Sequence, residues 1–127
     1  MGYSLAAAAR HATSHFPAAD VLIVALADMP WLRTGSAQSV VDLALSAANE
    51  SADKNERCIV RPRHREMPGH PIAFSRSLWN ELSQCSGDVG AKAVIDRHRT
   101  CVRWFDTDDA GVVRDVDVAR DLVPPVE

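Results

Sequence analysis

The sequence predicts an α/β fold, with helices layered over a largely parallel sheet. Three observations predict it. Apolar runs of strand length alternate with helical patterns almost throughout the chain. The run from Val21 to Ala27 is continuously apolar, as expected of a strand covered on both faces. The hydrophobic fraction of 46% and charged fraction of 24% are globular, which excludes a disordered chain. With 127 residues and 13.8 kDa, the chain suits one domain, residues 1–127, with a single core.

The elements follow in order. Ser4 to His15 is alanine-rich and reads as a helix, with Ser4 as its N-cap and Pro17 as its stop. Asp20 to Ala27 reads as the buried strand, ending at Asp28-Met29-Pro30. Ser36 to Ala48 carries an apolar stripe, Val40, Val41, Leu43, Ala44 and Ala47, at helical spacing. Arg57 to Arg61 is a short strand, Pro62 to Gly69 a basic loop, and Pro71 to Phe74 another short strand. Ser75 to Gln84, which Ser75 or Ser77 could cap, and Val89 to His98, capped by Asp88, read as helices. Val102 to Phe105 is a strand, Asp106 to Gly111 an acidic turn, and Val112 to Val116 extends again. A short helix from Val118 to Leu122, capped by Asp117, ends before Pro124-Pro125.

Charge and composition narrow the function classes. Fourteen Lys+Arg against seventeen Asp+Glu leave a net charge of −3, which disfavours a nucleic-acid module. The longest apolar run is far too short to span a bilayer, and the N-terminus lacks the basic region of an export signal. Cys58, Cys85 and Cys101 are scattered and odd in number, which suits a cytoplasmic protein with free thiols.

Four segments hold candidate chemistry. In layered α/β sheets ligands bind beyond the carboxyl ends of the strands, which singles out Asp28. A carboxylate there either holds Mg²⁺ together with substrate phosphates or merely caps a turn before Pro30. In Gly69-His70-Pro71 the glycine admits close backbone approach and the histidine can donate to a phosphate or a heterocycle; an ordinary proline-rich loop is the plainer reading. Gly87, Asp88 and Gly90 form a turn before a helix start, which is either an anion site or a capped helix. Asp115 and Asp117 point the same way if extended, so one of them could join Asp28 on a metal; alternatively Asp117 is only an N-cap.

The order of these segments resembles the nucleotidyltransferases of molybdenum cofactor maturation, the molybdopterin cytidylyl- and guanylyltransferases, the cytidylyl branch most. The stretches that carry the resemblance are Gly2-Tyr3-Ser4-Leu5-Ala6-Ala7, Val24-Ala25-Leu26-Ala27-Asp28-Met29-Pro30, Gly69-His70-Pro71-Ile72-Ala73-Phe74, Ser86-Gly87-Asp88-Val89-Gly90-Ala91-Lys92-Ala93 and Asp115-Val116-Asp117-Val118-Ala119-Arg120-Asp121-Leu122. The resemblance implies a Rossmann-like three-layer nucleotidyltransferase fold. It implies transfer of CMP or GMP from CTP or GTP to molybdopterin with Mg²⁺. By it, Asp28 and Asp117 are the catalytic, metal-holding carboxylates. Gly69, His70 and Pro71 lie near the acceptor or base, and Gly87, Asp88 and Gly90 face the pterin-phosphate acceptor.

The sequence departs from the family pattern at its start. The family opens with a strand and a glycine-rich triphosphate loop; the six glycines here, 2, 35, 69, 87, 90 and 111, form no such cluster. Roughly a third of a usual domain is therefore expected to be missing, leaving an N-terminally truncated fold. An exposed sheet edge is expected, covered by a homodimer partner or a complementing chain. The chain alone is expected to be weak or inactive as an enzyme. The competing expectation is a non-catalytic binding or interaction protein derived from the same fold. At the end of the motif, Lys92 stands where the family more often has Arg, and Val118-Ala119 where it more often has Thr-Pro.

Overall fold

The computed structural model describes residues 2–53, 55–87 and 90–114. Four helices, α1 (Gly2–His15), α2 (Thr34–Glu50), α3 (Trp79–Leu82) and α4 (Lys92–Arg97), pack on five strands. The strands are β1 (Val21–Val24), β2 (Ile59–His64), β3 (Met67–Pro68), β4 (Ile72–Ser75) and β5 (Val102–Asp106). The sheet order is β1-β4-β2-β3, with β5 also paired to β2.

Three layers follow from apolar spacing. Leu5, Ala9 and Ala12 turn one face of α1 onto Ile59, Ile72, Phe74, Trp79 and Leu82. On the opposite face of the sheet, Val40 and Ala44 of α2 meet Val60 and Ala73. Adjacent residues of one strand therefore feed different cores, as the alternation of side chains along a strand requires. Arg76 fastens the first layer: its guanidinium stacks 4.5 Å from the Trp79 ring and donates to the carbonyls of Phe16 (2.9 Å) and Ala19 (2.7 Å).

The α/β layering is as expected, but the strand pairing differs. Only β2–β5 is a parallel pair among the described residues; β1–β4, β2–β4 and β2–β3 are antiparallel. β1, β2 and β5 do run in one direction. The short β4 returns between β1 and β2 because residues 65–71 are a tight reversal and not the helical crossover that a parallel neighbour needs. β1 has no partner on its outer side among the described residues.

Boundaries shift for local reasons. β1 stops at Val24, short of Ala27, because Val24 pairs with Ile72 and the residue before Ile72 is Pro71, which has no N–H to continue the ladder. The expected basic loop 62–69 is a hairpin, β2–β3. The helix expected from Ser75 to Gln84 is a 3₁₀ turn, Arg76–Leu78, followed by the single turn of α3. Ser75 and Ser77 do not cap it: their hydroxyls donate to the Glu56 carbonyl, and Ser75 Oγ accepts from the Cys58 N–H. Residues 110–112, expected to lead into an extended stretch, form a 3₁₀ turn because the Asp109 carboxylate accepts the Gly111 N–H. Helix α4 starts at Lys92, later than the expected Val89. Asp88, Asp115, Asp117 and the expected final helix lie outside the described residues.

Asp109 is 1% exposed and closes the start of α2. Its Oδ2 accepts the Arg33 N–H (3.0 Å) and the Ser36 hydroxyl (2.8 Å), and its Oδ1 accepts the Gly111 N–H (2.9 Å). Arg33 occupies the N-cap position of α2 and its side chain does not cap. A carboxylate from far along the chain thus ties down the residue that enters α2 and the Ser36 hydroxyl in its first turn, where the helix dipole also favours negative charge.

Two stability predictions follow from these features. Asp109→Ala removes the acceptor of two buried donors, the Ser36 hydroxyl and the Gly111 N–H, and of the part-buried Arg33 N–H, and is expected to cost roughly 3 kcal/mol in urea unfolding, more than Asp109→Asn. At the β2–β3 turn, Arg65 (φ 48°) and Glu66 (φ 69°) are both in the left-handed region that favours glycine. Glu66→Gly is expected to raise the unfolding free energy by about 1 kcal/mol, read from the shift in urea midpoint.

Candidate functional site

The site forms where β1 ends and β4 begins. The pairing of Val24 with Ile72 sends residues 25–30 and residues 69–71 out of the sheet at the same end. That end also holds the carboxyl termini of β2 and β5, since Arg63 pairs with both Pro68 and Asp106. Asp28 and His70 both lie at that end, near enough for the Asp28 charge to act on the His70 ring.

The Gly69-His70-Pro71 segment is held from several sides. The Gly69 N–H donates to the Pro62 carbonyl (2.9 Å) and the His70 N–H to the Val112 carbonyl (2.8 Å). Arg61 donates through Nε (3.2 Å) and Nη2 (3.0 Å) to the Gly69 carbonyl. A Cβ on Gly69 would stand 2.3 Å from the Val112 carbonyl oxygen, so the close approach requires glycine. The His70–Pro71 peptide is cis. Val112 in turn is placed by the turn that Asp109 closes, and Gly111 abuts the backbone of Trp31, where a Cβ would lie 2.0 Å from the Trp31 carbonyl oxygen. Residues 28–33, 69–71 and 109–112 are thus one packed unit.

Asp28 is half-buried, and no hydrogen bond or ion pair to its carboxylate is found among the described residues. The other candidate positions stand apart from this pair. Gly87 and Gly90, with φ of 66° and 57°, form the turn between α3 and α4. The Gly87 carbonyl accepts the Gly2 N–H at 2.9 Å, which pins that turn to the start of α1. The base of the turn is closed by Glu81, which pairs with Arg97 and accepts from His98 Nε2 at 2.7 Å. Burial pushes the Glu81 carboxyl up, but the bonds from Arg97 and His98 outweigh it and hold the group below its ordinary range. A cleft lined by Asp20, Ala44, Cys58, Ser75 and Arg103 lies beside the amino ends of β1 and β2, the opposite end from Asp28.

Arg61, Trp104 and Asp109 were not singled out by the sequence pattern. The alternation Ile59-Val60-Arg61-Pro62-Arg63-His64 could have placed Arg61 and Arg63 on one strand face. Trp104 lies directly opposite Arg61 in the parallel register, and its ring lies 5.9 Å from the Arg61 guanidinium and 4.8 Å from that of Arg63. No local signal marks Asp109 as the anchor of α2, since its partners there are more than 70 residues away.

His70 titrates in an altered environment. Burial and the Arg61 guanidinium push its pKa below the ordinary 6.5, while Asp28 pulls the other way. The ring is therefore neutral near pH 7. In the unfolded chain it binds a proton at higher pH, so folding stability is present above pH 6.5 and is lost as pH falls toward the folded-state pKa. An NMR titration is expected to find His70 below 6.5. His70→Gln is expected to reduce the loss of unfolding free energy between neutral and acidic pH. A His70 pKa at or above the ordinary value would contradict this placement.

Comparison with known proteins gives the family. The model of the MobA-like NTP transferase domain matches residues 1–102. Rv0371c from Mycobacterium tuberculosis H37Rv is similar in structure, with a TM-score of 0.70 and 27% identity over 91% of this chain and 56% of that one. Its complex with manganese gives 0.69 and 26%, over 89% of this chain and 55% of that one. The homolog from Mycobacterium sp. strain JC1 gives 0.67 and 25%, over 91% and 53%. The chain thus spans little more than half the length of these structures. No curated protein matches it significantly. Three α/β/α layers, a carboxylate at the end of β1 and a matching model over most of the chain lead to one conclusion: the chain belongs to the family of MobA-like NTP transferase domains.

Proposed function

We propose that this chain carries the metal-binding and acceptor half of a nucleotidyltransferase site. The reaction is transfer of CMP or GMP from CTP or GTP to the terminal phosphate of molybdopterin, with release of pyrophosphate. The observation that carries this reading is the convergence of Asp28 and His70 at the carboxyl end of the sheet, with the Asp28 carboxylate engaged by no protein donor among the described residues.

The donor set suits a hard divalent cation. Mg²⁺ and Mn²⁺ are commonly held by one or two carboxylates, with water and substrate phosphates completing the shell. The described residues include no group of three or more His, Cys, Asp or Glu side chains placed for a metal, and Asp28 is a carboxylate they offer at this end of the sheet. Asp117 is the proposed second carboxylate. In support, Val112, five residues before it, is hydrogen-bonded to His70. When bound, the cation supplies charge neutralisation on the phosphate oxygens, Mg²⁺ being the proposed physiological ion. The manganese complex of Rv0371c supports divalent-metal use in a similar structure.

The protein's own residues then position and shield. Neutral His70 can offer one ring N–H to a phosphate oxygen or to a base edge without adding a charge. Gly69 and Pro71 keep that ring on a rigid turn. Gly87, Asp88 and Gly90 are the proposed contact for the acceptor phosphate. The outer edge of β1, unpaired among the described residues, supports a homodimer partner or a complementing chain that covers it. No described helix is long and apolar enough to cross a membrane, and the three cysteines are free, in keeping with the proposed cytoplasmic location.

The test is a Mn²⁺ titration followed by electron paramagnetic resonance, with and without CTP or GTP. Asp28→Asn is expected to weaken Mn²⁺ binding at least tenfold while the urea midpoint stays within error. Unchanged Mn²⁺ affinity in that variant would remove Asp28 from the metal site and the proposed reaction with it.

A further inference from the structure

We propose that Arg61 is a phosphate-binding residue, its guanidinium taking an oxygen of a substrate phosphate at the mouth between β2, β5 and the Gly69–His70 turn. The inference rests on the transferase reading above and adds a residue to it.

Geometry carries it. Arg61 is half-buried, and its only hydrogen-bond acceptor among the described residues is the neutral Gly69 carbonyl. Two of the five guanidinium N–H groups are used there, which leaves three. No carboxylate among the described residues lies within ion-pair distance. Other cations are matched by carboxylates: Arg63, on the same strand, is held by both oxygens of Asp106, at 2.8 and 3.2 Å, and Lys92 and Arg99, around α4, share Asp96. Arg10 and Arg76 also bond only carbonyls, but they tie α1 to the segment around α3, away from Asp28.

A cation withdrawn from water opposite a single carbonyl dipole is incompletely compensated. Burial accordingly lowers the Arg61 pKa, although the group remains charged. The missing compensation is an anion, and the location beside His70 and Asp28 says which kind. A planar fork with spare N–H groups matches phosphate oxygens. The 39% exposed Trp104 ring walls the same mouth and can accept a planar ring from the molecule that bears the phosphate.

Two sources of phosphate fit, the nucleotide's polyphosphate or the acceptor's phosphate monoester. The experiment titrates the chain, in metal-free buffer, with pyrophosphate and with flavin mononucleotide as an aromatic phosphate monoester. Arg61→Gln is expected to weaken at least one of them tenfold or more. Loss confined to flavin mononucleotide assigns the acceptor, and loss confined to pyrophosphate assigns the nucleotide. Arg61→Lys is expected to lie between, and Arg63→Gln to change affinity less than threefold because Asp106 already occupies Arg63. Should Arg61→Gln fail to fold, the wild-type chain still decides. Phosphate must then shift the Arg61 Nε–H resonance, whereas chloride at the same ionic strength must not. Unchanged affinities in a folded Arg61→Gln variant, or an Arg61 resonance unmoved by saturating ligand, would overturn the proposal. Because no metal is present, that failure is separate from a failure of Asp28 to hold Mn²⁺.

Discussion

The site depends on one buried carboxylate. Asp109 lies across the N-terminus of α2 and takes donors from Arg33, Ser36 and its own turn. The start of the helix is anchored through the Arg33 N–H and the Ser36 hydroxyl, and the turn gains a fixed position against residues 28–33. From that turn, the Val112 carbonyl reaches the His70 N–H. Three loops from distant parts of the chain thus become one body through a single side chain that touches no substrate. Loops carry function when a rigid scaffold positions them, and here the rigidity is local to the loops themselves. The arrangement also explains why Gly69 and Gly111 have no room for a side chain: the same packing that fixes the segments leaves backbone directly against backbone.

The second constraint is the direction of β4. Had residues 72–75 run parallel to β1, the residues before them would have left the sheet at its amino end, far from Asp28. The tight reversal through β3 turns the chain back, so that His70 precedes the strand at the carboxyl end. Pro71 then ends the β1–β4 ladder by lacking a donor, which frees Ala25 to Pro30 to loop outward with Asp28 on it. An antiparallel insertion in a sheet whose other main strands share a direction is therefore what places a histidine beside the carboxylate.

Sequence made the layers and the position of Asp28 just beyond β1 legible for identifiable reasons. The stripes of α1 and α2 have strong helical period, and Val21–Val24 is unbroken apolar sequence, so these elements sit close to where the pattern puts them. Asp28 could be singled out because a general property of α/β sheets, the ligand crevice at the carboxyl ends, needs no knowledge of contacts. Strand direction was not legible, because an extended apolar run reads alike both ways and the hairpin turn Arg65-Glu66 lacks the glycine or asparagine that signals a two-residue turn. Asp109 sits in an acidic stretch with Asp106 and Asp108, and only tertiary contact separates the buried one from its exposed neighbours. The serines at 75 and 77 look like helix caps, yet their hydroxyls are drawn to the entry of β2, so α3 shrinks to a single turn.

The local excess of positive charge between residues 57 and 76 shows why counting charges along a chain misjudges a site. Arg63 is neutralised by Asp106, Arg76 is spent on carbonyls of the α1–β1 connection, and Arg57 and Arg65 are exposed to solvent. What remains for the interior is Arg61. Its field is opposed at His70 by Asp28, so the histidine stands between a cation and an anion, and burial tips the balance toward the neutral ring. An incoming phosphate would weaken the cation's effect and a metal ion would weaken the anion's, each shifting the ring in the opposite sense. A substrate carrying both would alter the two fields together and leave His70 closer to its resting state than either partner alone. The His70 ring thus reports the balance between the cation on one side and the anion on the other, with burial deciding it.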